Sequence, residues 1–149
     1  MRIEVEEATT AAPEVAFATA TDIARWPQFI TGIDSVEILT TGPVAVGTRF
    51  RETRLMHGRT ATEEMAVEEL EAPRLFVLSA LSHGTRFRAE HRFEPDGEGT
   101  RMTVQFEGRP MTLLARLLTP LALLVVGSVR REIAADLAGL AREAERRSR

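Results

Sequence analysis

The sequence predicts an α+β fold, in which a curved seven-stranded antiparallel sheet wraps around a long C-terminal helix and two short helices lie between strands 1 and 2. Three observations favour this fold class. Apolar and polar residues alternate at the start of the chain, alternating segments separated by turn residues fill residues 33–108, and a helical period returns over residues 111–147. Because the apolar face of a sheet needs a cover, the terminal helix is expected to lie across it.

The strands follow from this alternation and from the turns between them. Residues 3–5 alternate as a strand does, and turn pairs such as His57-Gly58 and His83-Gly84 separate the later segments. The six later strands are expected at residues 33–39, 48–56, 60–70, 74–82, 85–94 and 100–107. Such an order is typical of a meander, in which each strand pairs with the next.

The helices follow from a different period and from their end signals. Within residues 13–30, Pro13 suits the first position of a helix, and Asp22 is a candidate cap for a second short helix. The terminal helix over residues 111–147 carries one apolar stripe, and Pro120 is expected to kink it or to begin it.

Composition excludes several classes of function. The chain of 149 residues has the length of one domain, which we expect to span residues 1–149. It contains no cysteine and no lysine, which excludes disulfides, thiolate chemistry and Schiff-base chemistry. A formal net charge of −3 gives no basic field for a nucleic-acid partner. We expect no metal site and no cofactor.

The two ends of the chain bear on its location. The first residues are charged and alternating, unlike a signal peptide, and the longest uncharged run, residues 117–129, is too short to span a bilayer. We therefore expect a soluble, cytoplasmic protein.

One strand separates its side chains cleanly into two faces. In residues 85–94, Phe87, Ala89 and His91 share an apolar face, while arginines occupy the opposite face and must meet solvent. A two-residue turn at His83-Gly84 pairs Phe76 with His91 and therefore places Phe76 on the inner face as well.

The hairpin around His57-Gly58 predicts a charged group on the inner face. If Phe50 pairs with Met65, then Glu52 pairs with Glu63 and Arg54 follows on the same face. Two carboxylates at that distance need a cation, and Arg54 is the natural one. Either this group is a solvated ion cluster at the open end of the sheet, or a bulge turns it outward, or it is a polar patch that orients the carbonyl or hydroxyl of a ligand.

His91 also has two interpretations. It stands between Ala89 and Phe93 on an otherwise apolar face, which is typical of a buried, neutral histidine with a hydrogen-bond partner. It could instead contact a ligand, and then it could act as a general base.

Residues 113–126 are more apolar than one side of a helix requires. They could form a lid over a cavity, an interface in a homodimer, or a membrane contact. A low density of positive charge makes membrane contact the least favoured of the three. The sequence leaves the choice between monomer and homodimer open.

Five short strings carry a resemblance to a known superfamily: APEVAF (residues 12–17), DIARWP (22–27), SVEIL (35–39), VGTRF (46–50) and EAPRL (71–75). With the order of elements, they resemble the START-like SRPBCC superfamily, and in particular its polyketide cyclase/dehydrase-like branch. The resemblance covers essentially the whole chain. It implies a helix-grip fold with a hydrophobic cavity for a lipid, a polyketide or a similar small molecule.

Three functions are therefore considered. The first is binding of a hydrophobic small molecule in an internal cavity between the sheet and the C-terminal helix. The second is an enzyme that resembles polyketide aromatase/cyclases or dehydrases, with Glu52, Arg54 and His91 as candidate catalytic residues. The third is a protein-interaction module without a ligand. The residues expected to bind the ligand are Trp26, Phe29, Phe50, Glu52, Arg54, Glu63, Met65, Phe76, Leu78, Phe87, Ala89, His91, Met102, Val104, Leu114, Leu118, Leu121 and Val125.

Overall fold

A computed structural model describes residues 1–56 and 58–149, so the predicted turn position His57 lies outside the described residues. The predicted fold class is confirmed: the strands form one antiparallel sheet in the order β1-β7-β6-β5-β4-β3-β2. The strands are β1 (Arg2–Thr9), β2 (Ile33–Ile38), β3 (Arg49–Met56), β4 (Arg59–Glu71), β5 (Leu75–Ser82), β6 (Thr85–Asp96) and β7 (Gly99–Pro110).

Two short helices separate β1 from β2, as the sequence predicts. These are α1 (Pro13–Ala20) and α2 (Trp26–Phe29), joined by one 3₁₀ turn (Ile23–Arg25). Pro13 begins α1 as expected. Asp22 does not cap the second segment, which is a correction: its side chain accepts a hydrogen bond from Arg147 Nη2 at 2.9 Å instead. A carboxylate gains more from a guanidinium than from one backbone N–H.

The C-terminal helix is shorter than the sequence predicts. The long helix α5 (Val126–Arg147) follows two short helices, α3 (Leu113–Leu117) and α4 (Thr119–Ala122), and one 3₁₀ turn (Leu123–Val125). Pro120 lies in the first turn of α4 and so begins that helix rather than α5. Pro120 has no N–H to donate to the carbonyl of Arg116, so a continuous helix cannot run from α3 into α4 without losing a hydrogen bond.

The predicted strand registers are confirmed. Phe76 pairs with His91 across β5 and β6, and Glu52 pairs with Glu63 across β3 and β4. The β3–β4 pairing runs without a bulge from Arg49 to Met56, so a bulge does not turn the charged group outward. The inner face of the sheet therefore carries the side chains that the alternation assigned to it.

Helix α5 closes the inner face and is anchored near its C-terminal end. Leu137, Leu140, Ala141 and Ala144 are buried in the core, which also takes side chains from α1, α2 and the sheet. Gly139 marks a close approach: a Cβ atom there would lie 2.6 Å from the carbonyl oxygen of Phe29. The backbone at the end of α2 thus rests directly on α5.

We predict that Gly139→Ala destabilises the protein by about 1–3 kcal/mol, because the new methyl group meets backbone that cannot move aside. This reverses the usual effect of replacing a helical glycine by alanine. Thermal and urea unfolding measure the loss. The matched control is Gly127→Ala in the same helix, where the nearest atom to a new Cβ is the mobile Arg131 Nη1 at 3.6 Å. A loss of the same size in both variants would contradict the prediction.

Candidate functional site

A cavity of about 530 Å³ lies between the inner face of the sheet and the C-terminal helical region. Its walls are mainly apolar. The sheet contributes Met65, Leu78, Ala80, Phe87, Ala89, Val104 and Phe106, and α5 contributes Val129, Ile133, Leu137 and Leu140. Residues 113–125, the lid segment, contribute Ala115, Leu118, Ala122 and Val125.

Small residues at inner positions of neighbouring strands leave this space open. Ala61, Ala80 and Ala89 lie on the inner face of β4, β5 and β6, and Gly108 follows on β7. A Cβ atom at Gly108 would lie 3.1 Å from the ring of Phe87, so a larger residue here would press on that ring. A close-packed interior would need larger side chains here.

Arg54 stands at the polar end of the cavity and joins β3 to α5. Its Nε donates to Glu52 Oε1 at 2.7 Å, within the same strand. Its Nη1 lies 2.7 Å from Glu132 Oε1, and its Nη2 lies 2.9 Å from Asp136 Oδ2. Nη1 also donates to Asp136 Oδ1 at 3.3 Å, so the contact with that carboxylate is bidentate. We call Glu52, Arg54, Glu132 and Asp136 the ion cluster.

Burial and charge act against each other in this cluster. Burial raises the pKa of Glu52 and the pKa of Asp136, and the attraction of Arg54 lowers both without cancelling the effect. Burial alone would lower the pKa of Arg54, but Asp136 and Glu52 outweigh it and raise that pKa. Three carboxyl groups share one cation, so the cluster has a formal charge of −2 when all are ionised, and its buried carboxyls hold protons more readily than surface ones.

His91 also lines the cavity, from the middle of the sheet. Its Nδ1 lies 3.1 Å from the carbonyl oxygen of Phe76, and its ring packs on the Phe76 ring at 5.3 Å between centroids. Burial lowers the pKa of His91 to about 4, so the imidazole is neutral at neutral pH. Because a carbonyl only accepts, we assign the hydrogen to Nδ1, which leaves Nε2 as an acceptor without a hydrogen-bond partner among the described residues.

Glu63 is separate from the ion cluster. Its Oε1 accepts a hydrogen bond from the Ser82 hydroxyl at 3.0 Å, and the side chain lines the cavity. Arg54 was expected to neutralise both glutamates of the hairpin. The structure corrects this: Arg54 turns to Glu52 and to two acids of α5, because the helix lies on the side of the sheet that Arg54 faces.

Sequence reasoning missed Glu132 and Asp136. They lie one turn apart on α5, next to the apolar residues Ile133 and Leu137. The sequence did contain a signal for them: two acids four residues apart, next to the apolar stripe of the helix. Acids in this position become partly buried when the helix packs on the sheet, and a buried acid needs a charged or hydrogen-bonding partner.

Most of the predicted ligand-binding residues line the cavity: Trp26, Glu52, Arg54, Glu63, Met65, Leu78, Phe87, Ala89, His91, Val104, Leu118 and Val125. Their contact with a ligand stays a prediction. The predicted positions that are not part of the wall are Phe29, Phe50, Phe76, Met102, Leu114 and Leu121.

These six positions are corrections with two physical causes. Phe50, Phe76 and Met102 are fully buried in the core, where neighbouring side chains cover them, and Phe29 packs beside α5 under the guanidinium of Arg147. Leu114 and Leu121 face away from the cavity, and each is more than 60% exposed. The lid segment consists of short helices. The residues that point away from the cavity are therefore not those that would do so in the single straight helix that the sequence predicts.

The lid segment therefore has two apolar faces. One contributes half-exposed side chains such as Leu118 and Val125 to the cavity wall, and the other leaves side chains such as Leu113, Leu117 and Leu124 exposed. The lid interpretation of the inner face and the homodimer interpretation of the outer face both stay predictions.

Residues 1–56 and 58–149 contain no group of three His, Asp or Glu side chains arranged to hold a metal ion. Within the same part of the chain, every helix is too short or too polar to cross a membrane.

Comparison with known proteins gives a match over nearly the whole chain. The sequence profile of the family described as polyketide cyclase / dehydrase and lipid transport matches residues 1–145. No curated protein matches significantly in sequence.

Solved structures share the fold at low identity. An aromatase/cyclase, Zhui from a Streptomyces species, is 20% identical with a TM-score of 0.80, and the match covers 100% of this chain and 96% of that one. A Thermus thermophilus protein is 19% identical with a TM-score of 0.79, and 100% of both chains is covered. A START superfamily protein from Mycobacterium smegmatis is 16% identical with a TM-score of 0.71, and 95% of this chain and 97% of that one are covered.

We predict that Arg54→Met lowers the free energy of unfolding by about 3–5 kcal/mol at neutral pH, because it leaves buried carboxylates without their cation. Burial raises the pKa of Glu52 and Asp136, so holding them ionised costs stability once the pH rises through those values. The loss should therefore shrink as the pH falls and the carboxyls take up protons. Urea unfolding at a series of pH values measures it.

The control for this variant is Arg101→Met, which removes an exposed arginine that pairs with Glu6 and Glu94 on the outer face. Its effect should be small at every pH. If Arg54→Met loses the same free energy of unfolding at every acidic pH, the predicted dependence on protonation of Glu52 and Asp136 is wrong.

Proposed function

The chain belongs to the polyketide cyclase / dehydrase and lipid transport family, and we propose on this premise that it binds a hydrophobic small molecule, a lipid, a polyketide or a similar compound, in the cavity between the sheet and the C-terminal helix. The predicted resemblance to the START-like SRPBCC superfamily is confirmed. The observation that carries the proposal is the cavity of about 530 Å³ with apolar walls and one polar end.

The walls and the polar end of the cavity have different parts in this proposal. An apolar ligand gains about 25 cal/mol for each Å² of apolar surface that it removes from water, and the side chains of the sheet and α5 provide such a surface. The ion cluster and His91 supply the few polar atoms that orient a ligand in a mainly apolar site. Volume and chemistry thus both fit a small molecule with one polar group.

A second candidate function is a polyketide cyclase- or dehydrase-like enzyme, and the polar groups of the cavity favour it. Dehydration needs a base that takes a proton from carbon next to a carbonyl and an acid that protonates the departing hydroxyl, which leaves as water. His91 Nε2 is an acceptor, and burial raises the pKa of Glu52, so this carboxyl takes up a proton more readily than a surface one. The similarity in fold to the aromatase/cyclase Zhui supports this alternative.

A core filled by side chains would favour the third function, an interaction module without a ligand. The structure has a cavity instead, so this function loses that argument. Several expectations stay predictions: a single domain over residues 1–149, the cytoplasmic location, the absence of a cofactor and of a nucleic-acid partner, and the choice between monomer and homodimer.

We predict that Ala89→Phe weakens binding of a neutral apolar probe, N-phenyl-1-naphthylamine, by at least about tenfold, because the ring fills space that the ligand needs. Probe fluorescence measures binding, and native mass spectrometry detects small molecules that co-purify. The matched control is Ala66→Phe, which places the same ring on the outer face, where Ala66 pairs with Arg49. Equal binding by both variants, or no binding by the unaltered protein, would contradict ligand binding in this cavity.

Turnover of a soluble poly-β-ketone mimic distinguishes carrier from enzyme. If the protein is an enzyme, Arg54→Met and His91→Phe should each lower kcat by about 100-fold or more, since each removes a group that handles protons or charge. In a carrier, no product forms beyond the uncatalysed reaction, and His91→Phe mainly changes the affinity for the mimic. Arg101→Met on the outer face is the control. Absence of product beyond the uncatalysed reaction with the unaltered protein would contradict the enzymatic alternative, and product formation that Arg54→Met and His91→Phe leave unchanged would contradict the roles given to these residues.

A further inference from the structure

We infer that the cavity selects apolar ligands whose polar group donates hydrogen bonds, a hydroxyl or a protonated amine, and discriminates against ligands with an anionic headgroup such as a carboxylate or a phosphate. This inference rests on the proposed function and names the chemical class of its ligand.

The first argument is the balance of charge in the wall. The ionisable acids that line the cavity are Glu52, Glu63, Glu132 and Asp136, and Arg54 is the one arginine of the wall among the described residues. His91 is neutral at neutral pH because burial lowers its pKa to about 4. The amino group of Met1 is a second cation at the wall, where it donates to the carbonyl oxygen of Gly108 at 3.3 Å. Four acids against two cations leave an excess of acidic groups, and the apolar walls concentrate the resulting field on whatever enters.

The second argument is that Arg54 has little capacity left for an anionic ligand. A guanidinium has five N–H donors. Contacts with Glu52, Glu132 and Asp136 account for four of them, one at Nε, two at Nη1 and one at Nη2. A ligand carboxylate that needed more than the remaining Nη2 N–H would have to displace one of these acids, and the displaced acid would then be buried without its cation, which is costly.

The third argument is that two side chains of the wall, Glu63 and His91, present free hydrogen-bond acceptors. Glu63 receives one hydrogen bond, from Ser82 to Oε1, and its Oε2 has no partner among the described residues. His91 Nε2 is likewise an acceptor without a described partner, since Nδ1 holds the hydrogen. A ligand hydroxyl or ammonium group would satisfy these acceptors, whereas a ligand that only accepts would leave them unpaired, a strong basis for discrimination.

The structure offers a matched pair of residues that isolates this charge. Glu63 and Glu64 are neighbours in β4, so their side chains point to opposite faces of the sheet. Glu63 lines the cavity, and Glu64 lies 3.9 Å from both Arg49 and Arg51 on the outer face. Glu63→Gln and Glu64→Gln remove the same charge and keep the same volume, and both avoid the ion cluster, whose loss could prevent folding.

The experiment displaces N-phenyl-1-naphthylamine with four ligands of one chain length: decylamine, decanol, methyl decanoate and decanoate, at neutral pH and below their aggregation limits. We expect decylamine and decanol to bind at least about tenfold more tightly than decanoate, because the acids of the wall repel a carboxylate and Coulomb interactions are stronger beside apolar walls than in bulk water. Methyl decanoate should fall between them. Glu63→Gln should reduce the ratio of decylamine to decanoate affinity several-fold, and Glu64→Gln should leave it unchanged.

Two kinds of failure are distinguishable. If the neutral probe and all four ligands fail to bind, the proposed function is wrong and this inference falls with it. If the probe binds and decanoate competes as well as decylamine or decanol, the inference is wrong while the proposed function stands. An affinity ratio that both glutamate variants change equally would also overturn it, because the selectivity would then come from the overall charge of the protein.

Discussion

The contact on which the rest of the structure depends is the buried guanidinium of Arg54, which ties the sheet to the long helix. It reaches from β3 to two acids on α5 and meets a third in its own strand. Replacing such a group by apolar residues often costs nothing in stability, so its presence argues for a specific geometry rather than for strength. Here the geometry is a helix held at a fixed distance from a concave sheet, and the space that remains is the cavity.

Small inner residues are the counterpart of that contact. Alanines on β4, β5 and β6 reduce the volume that side chains fill, while the helix cannot move inward because Gly139 already touches the backbone of α2. A cavity would normally close by relaxation of its surroundings. In this protein the contact between α5 and the backbone of α2, together with the ion cluster, keeps the helix away from the sheet. The space that the small inner residues leave therefore stays open as a cavity.

The strands and their faces could be predicted from the sequence, and parts of the site could not, for physical reasons. Alternation has a period of two and a tight turn fixes the register, so the pairings of Phe76 with His91 and of Glu52 with Glu63 follow from local pattern alone. The partners of Arg54 on α5 lie far along the chain. The local sequence does not determine how the helix is oriented on the sheet, so it does not predict which acids face Arg54. Leu114 and Leu121 were wrongly assigned to the cavity wall because the expected helix is divided at Pro120. Side chains on the two sides of this break no longer follow the single face that one straight helix would have.

The two parts of the C-terminal region differ in how firmly they are held, and this difference bears on access to the cavity. The second half of α5 contributes buried side chains to the core, whereas α3, α4 and the turn after them contribute none. Segments with few buried contacts open at a small fraction of the free energy of global unfolding, and their amide hydrogens exchange sooner with solvent. The lid segment can thus open locally while the rest of the fold persists. If the proposed binding function holds, entry and exit of the ligand need not compete with the stability of the fold.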